Sequence, residues 1–179
     1  MTHNELVAIG KQWLINKGCS VVITEMCGAI EEPDAIGWIH GKSILIECKT
    51  SIKDFRQDAD KIFRRQAEHA LGIKRYFMVP DSLSQKIFEE MKNTDWGLIR
   101  VNGAGTRVVK ESADHTTTRI SEINLLLSAI RSIGKTAPQG ISVRYYEIES
   151  KVNRATLGVK GETVAAKPLN TIRREYDKH

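Results

Sequence analysis

The chain has 179 residues and a hydrophobic content of 41%, enough for one domain with a core of its own. No run of about 18 apolar residues occurs, which argues against a membrane span, and the three cysteines Cys19, Cys27 and Cys48 form no CxxC pair. That count and spacing speak against disulfides, a thiolate zinc site and a four-cysteine iron–sulfur cluster. The formal charge of +5 and a pI near 9.1 permit a polyanionic partner without requiring one.

From about His3 to Lys17, Leu6, Ile9, Trp13 and Leu14 recur with helical spacing and Gly18 follows, which predicts an amphipathic helix. Cys19 to Met26 reads as a strand, and the acidic, proline-containing stretch Gly28 to Pro33 as a loop. Two short apolar runs, Ala35 to His40 and Ser43 to Cys48, flank Gly41-Lys42 and predict a β-hairpin. Thr50-Ser51 can cap a helix, and Phe55, Ala59, Ile62, Phe63, Ala67 and Ala70 carry the helical spacing from Ile52 to Leu71, where Gly72 ends it. Arg75 to Val79 is a strand closed by Pro80, and Ser82 to Lys92 a helix. Trp96 to Val101 and Thr106 to Val109 pair around a glycine-rich turn, in which Gly103-Ala104-Gly105 is no phosphate loop because no helix follows it. A helix from roughly Ile120 to Ile133 and a strand from Ile141 to Ile148 follow. Beyond Glu149 the chain is polar, basic and weakly periodic, an extension suited to a protein partner. The expected architecture is α/β, with an αβββαβ core, a mixed central sheet and flanking helices. Residues 1–112 hold that core, and 113–179 a C-terminal elaboration of the same domain.

Asp34 opens the first arm of the hairpin, and Glu47 and Lys49 close the second. Side chains alternate along a strand, so Glu47 and Lys49 share one face while Ile44, Ile46 and Cys48 share the other, the core face. The turn lies between Asp34 and Glu47 and brings them side by side. Two adjacent carboxylates repel unless a cation sits between them. A hard divalent ion, Mg²⁺ or Mn²⁺, meets that need with one or two carboxylates and several waters, and the backbone carbonyl of Cys48 is a further oxygen ligand within reach. Lys49 adds positive charge beside a metal-bound water and a phosphate.

A lone Glu-x-Lys tripeptide is common on solvated strands, but the context here is fuller. Pro33-Asp34, twelve residues, then Glu47-Cys48-Lys49 resembles the PD-(D/E)XK motif of restriction-endonuclease-like nucleases. Ile46 to Asp58, Arg75 to Pro80 and Trp96 to Ile99 are similar to the MmcB-like group within that superfamily, a group associated with DNA repair, over roughly residues 5–112. Ala59-Asp60-Lys61 stands one residue off that group's Asp-x-Lys spacing, and no QxxxY motif follows. The resemblance implies a metal-dependent deoxyribonuclease with Asp34, Glu47 and Lys49 catalytic, Asp34, Glu47 and the Cys48 carbonyl on the metal, and Glu5 or Glu25 as an additional acid. The reading set against it is a non-catalytic nucleic-acid-binding or assembly module that keeps the fold.

Seven Lys or Arg face four acids between Lys53 and Arg75, and seven face three between Ser150 and His179. DNA is the expected partner, with Ser51, Lys53, Arg56, Arg64 and Arg65 as candidate contacts and the solvated face of an amphipathic helix as their plainer reading. Trp13, Phe55, Phe63, Tyr76 and Phe77 are expected in the core, and His3, His40, His69 and His115 show no ligand spacing. Cutting both strands would call for two sites, which a C2 homodimer provides. The polar start Met1 to Glu5 lacks the layout of a signal peptide. A cytoplasmic or nucleoid-associated protein, with no membrane partner, is expected.

Overall fold

Thr2 opens helix α1 (His3–Asn16) with a capping box, its hydroxyl accepting from the Glu5 N–H while the Glu5 carboxylate accepts from the Thr2 N–H at 2.7 Å. The computed structural model describes residues 1–26, 31–58, 61, 70–133 and 141–143, all within the unit Met1–Tyr145. After α1 come β1 (Val21–Thr24), β2 (Ala35–Ile39), β3 (Lys42–Cys48), the short helix α2 (Ile52–Asp58) and β4 (Lys74–Pro80). Then follow α3 (Asp81–Met91), β5 (Gly97–Asn102), β6 (Gly105–Lys110), α4 (Arg119–Ile133) and β7 (Ile141–Val143). Among the described residues the first six elements have the order αβββαβ.

The strands form one sheet in the order β6-β5-β4-β3-β2-β1-β7. It is mixed: β3 pairs antiparallel with β2 and parallel with β4, and β4 pairs parallel with β5. The parallel pairing needs a crossover between β3 and β4, and α2 lies on it. The hairpin turn falls at His40-Gly41, one residue earlier than the spacing predicts. Both residues have positive φ, 48° and 75°, the pair of left-handed conformations that a type I′ turn requires. Lys42 thereby joins β3.

Each face of the sheet has its own apolar layer. Leu6, Val7, Trp13 and Leu14 of α1 pack with Ile46, Cys48, Tyr76 and Met78. On the other side Leu45, Phe77, Val79 and Leu98 pack with Ile87 and Met91 of α3 and with Leu125 and Ala129 of α4. Each fully buried side chain of this size stabilises the fold by roughly 1.5–3 kcal/mol, so strict alternation along β3 fixes its register: a slip of one residue would drive Glu47 into the α1 layer.

The described residues beyond 112, 113–133 and 141–143, are built into this scaffold. Glu122 on α4 accepts from Trp38 Nε1 at 3.1 Å, from the Ser43 hydroxyl and from the Gly72 N–H at 3.2 Å, while β7 pairs with β1. Among the described residues no helix is long and apolar enough to cross a membrane. The spacing predicts a helix to Leu71, but α2 ends at Asp58, Lys61 lies in a bend and Ala70 and Leu71 are not helical; residues 59–60 and 62–69, with Arg64 and Arg65, lie outside the described residues, as do the strand beyond Val143 and the basic extension.

Candidate active site

β2 and β3 carry the acids. In their register Ala35 faces Ile46, so Asp34 stands one step beyond the last pair, on the side of Glu47. The Asp34 Oδ2 accepts the backbone N–H of Cys48 at 2.6 Å, a short charge-assisted bond that fastens the start of β2 to the end of β3. The Lys49 N–H donates to the Met78 carbonyl at 3.0 Å, which extends β3 along β4 and fixes where Lys49 leaves the sheet. Cys48 is buried in the α1 layer as expected, and burial pushes its thiol far above the ordinary range. Its side chain belongs to the core. Only its backbone serves the acidic face.

Lys49 is the centre of the cluster. Its Nζ lies 3.3 Å from Glu47 Oε2, 3.0 Å from Asp58 Oδ1 and 4.0 Å from Asp54 Oδ1. The Glu47 and Lys49 side chains are 2% and 4% exposed. Burial pulls the Lys49 pKa down, but Glu47, Asp58 and Asp54 outweigh it, and the ammonium is held above its ordinary value. Lys49 therefore carries a fixed positive charge at neutral pH. Lys61 adds a second cation from the solvent side, 3.0 Å from Asp58 Oδ1 and 3.8 Å from Glu47 Oε2.

Asp58 is the residue that the sequence reading did not single out. A signal was present: Asp54 and Asp58 stand four apart on one helix, a like-charge spacing that is destabilising unless a cation lies between them. Lys49 is that cation.

The two candidates for the extra acid separate cleanly. Glu5 is occupied in the capping box of α1 and exposed. Glu25 follows β1 next to Asp34, its N–H shared between the carbonyls of Pro33 at 3.1 Å and Asp34 at 3.3 Å. It holds a left-handed φ of 49°, a conformation that a non-glycine residue adopts at some cost. His3, for which the sequence suggested no role, bridges the acids: Nε2 lies 3.4 Å from Asp34 Oδ1 and 3.9 Å from Glu25 Oε1. The geometry thus groups Glu25, not Glu5, with Asp34.

The donor set fits a hard cation. Asp34 and Glu47 supply carboxylate oxygens whose remaining lone pairs can coordinate beyond their hydrogen bonds. No group of three or more His, Cys, Asp or Glu stands in metal-holding array among the described residues. Mg²⁺ and Mn²⁺ tolerate such a sparse set because they keep several water ligands, whereas structural zinc asks for four protein ligands.

Of the expected DNA contacts, Ser51 and Lys53 are exposed at the start of α2. The Ser51 hydroxyl accepts the Asp54 N–H at 3.1 Å, a helix cap. Arg56 forks onto Glu90 of α3 through Nε at 3.0 Å and Nη2 at 2.6 Å, a pairing that leaves it poorly placed for a phosphate.

No family description and no curated protein matches the chain. A solved structure of a protein of unknown function from Silicibacter pomeroyi is similar to it, with a TM-score of 0.53 and 17% identity over 74% of this chain and 90% of that one. At that identity the likeness is one of fold alone.

Proposed function

We propose that this protein is a divalent-metal-dependent nuclease that hydrolyses phosphodiester bonds of DNA. The observation that carries the reading is the convergence of Asp34, Glu47 and Lys49 on one sheet face, with the lysine buried among carboxylates. A structural ion pair needs one acid and one base. Here a buried ammonium faces Glu47, Asp54 and Asp58, Lys61 approaches Glu47 and Asp58 from the solvent side, and Asp34 stands beside Glu47 on the neighbouring strand, so that carboxylates of two strands and a helix gather at one point with cations among them.

In this reading Asp34, Glu47 and the Cys48 carbonyl hold Mg²⁺ or Mn²⁺, with Glu25 as the additional acid. The ion, when bound, supplies Lewis acidity toward a phosphodiester oxygen and a lowered pKa for water. Lys49, permanently charged, orients a water and stabilises negative charge growing on the phosphate. Asp58 and Asp54 hold the ammonium of Lys49 in place, and half-exposed Lys61 meets the incoming phosphate first.

The test is cleavage of single-stranded, nicked, branched and duplex DNA with Mg²⁺ or Mn²⁺, alongside calorimetric titration of Mn²⁺. Wild type should cut and bind the ion, and Asp34→Ala should lose both. Absence of cutting on every substrate, with Mn²⁺ binding unchanged in Asp34→Ala, would overturn the proposal.

A further inference from the structure

Beside the acidic cluster lies a cavity of about 370 Å³, within the ~300–1,000 Å³ range of small-ligand sites. Phe55, Phe77 and Trp96 line it, and Asp58, Arg56 and Thr94 stand at its walls. Phe77 and Trp96 are stacked at 4.4 Å with 21° between planes, and Phe55 meets Phe77 edge-on at 5.0 Å. The stacked Phe77–Trp96 pair and the Phe55 ring give the cavity largely apolar, aromatic walls.

We infer that this cavity receives one unpaired nucleobase of the DNA substrate, so that the protein acts on single-stranded, bulged or flipped-out nucleotides in preference to intact duplex. The inference rests on the reading that the Glu47–Lys49 cluster works on nucleic acid, and names its substrate class. Two structural features support it. First, cavity and cluster share Asp58: this residue lines the cavity, and its buried Oδ1 is 3.0 Å from Lys49 Nζ. Base and phosphate of a nucleotide are joined through one sugar, so seating the base there brings an adjoining phosphodiester toward Lys49. Second, the wall has planar polar groups as well as rings. The Arg56 guanidinium, oriented by its fork onto Glu90, keeps N–H donors beyond the two it spends there and presents a plane on which a base can stack. Bases within a duplex expose neither face, and a base must leave the stack to enter such a pocket.

The experiment uses the full chain in metal-free buffer and a duplex carrying one unpaired 2-aminopurine, whose emission is quenched by aromatic stacking. A fully paired duplex and one with an abasic residue at the same position are the comparisons. Stacking of a base on protein aromatics contributes about 1–3 kcal/mol. Wild type should therefore prefer the unpaired base about tenfold and quench it, and the abasic duplex should lose the preference. Thr94 is exposed at the cavity, so Thr94→Phe fills the space without removing a core side chain and should abolish both preference and quenching while leaving affinity for paired duplex unchanged. Phe55→Leu opens the wall instead and should weaken the quenching. Preference and quenching that survive in a folded Thr94→Phe, or that are missing from wild type, would overturn the inference. Cleavage is scored separately with Mg²⁺ or Mn²⁺: cutting without base preference sinks the pocket and leaves the nuclease, whereas base capture without any cutting sinks the nuclease and leaves a base-binding site.

Discussion

Asp58 Oδ1 and Lys49 Nζ lie 3.0 Å apart with side chains only 1% and 4% exposed. A crossover helix and a strand end thereby lock together at the point where the proposed chemistry takes place. The pair joins stability to function, and the two can be measured apart.

Asp58→Asn keeps the shape and removes the charge. Loss of a hydrogen bond to a charged group should cost about 2 kcal/mol in urea unfolding, and the single-turnover cleavage rate should fall with it. Lys49→Ala leaves buried acids facing one another, so a larger loss of roughly 3–5 kcal/mol is expected, with a rate reduction of about 10²–10³. Lys49→Arg should recover stability better than rate, since charge is kept but position is not. An equal rate for Lys49→Ala and wild type would remove the lysine from the chemistry.

Lys53 and Arg56 should differ in their salt signature. Exposed Lys53, if it tracks a phosphate, contributes about 0.9 to the slope of log affinity against log salt, and Lys53→Ala should flatten the slope by that amount. Arg56→Ala should leave it unchanged, because Glu90 already engages the guanidinium. Identical slopes for the two variants would contradict this assignment.

His115 supplies a pH dependence away from the acids. Burial, then the charge of Arg75, depresses its pKa below the ordinary 6.5. In the range just below 6.5 the unfolded chain therefore binds more protons than the folded one, so this stabilisation is intact above about pH 6.5 and is lost as pH falls toward the depressed value. Tm should drop between pH 7.5 and 5.5, and less so in His115→Gln. Equal drops in variant and wild type would show that other groups govern the acid limb.

Gly72→Ala should be severe for its size. Gly72 has φ +82°, and a Cβ there would lie 2.5 Å from Leu45 Cβ. A left-handed conformation costs an L-residue about 1–2 kcal/mol and core overpacking about 1–3 kcal/mol, so a loss near 3 kcal/mol is expected in denaturant unfolding. A loss under about 1 kcal/mol would mean that Leu45 and the chain entering β4 can shift apart.

The sequence disclosed most where one physical rule governed. Alternation along β3 separated Cys48 from Glu47 and Lys49, and helical spacing located α1, α3 and α4 to within a residue or two. The hairpin turn was misjudged by one residue because a positive φ at His40 is not a pattern that propensity reveals. Asp58 and His3 were missed for a different reason. Each reaches the site through packing of distant segments, α2 across the β3 end and α1 under the β1–β2 margin; the spacing of Asp54 and Asp58 asks for a cation between them but does not say which one. Glu5 and Glu25 looked alike in sequence. The capping box of α1 separates them.

Cys48 divides its duties between backbone and side chain. Its N–H holds Asp34 while its thiol packs among Leu6, Val7 and their neighbours. The middle position of the Glu-x-Lys tripeptide is thus answerable to α1 and not to the acids around it. Across diverging sequences its identity should covary with the α1 residues it touches, remaining small and apolar, and the one residue the site itself forbids there is proline, which has no N–H to give.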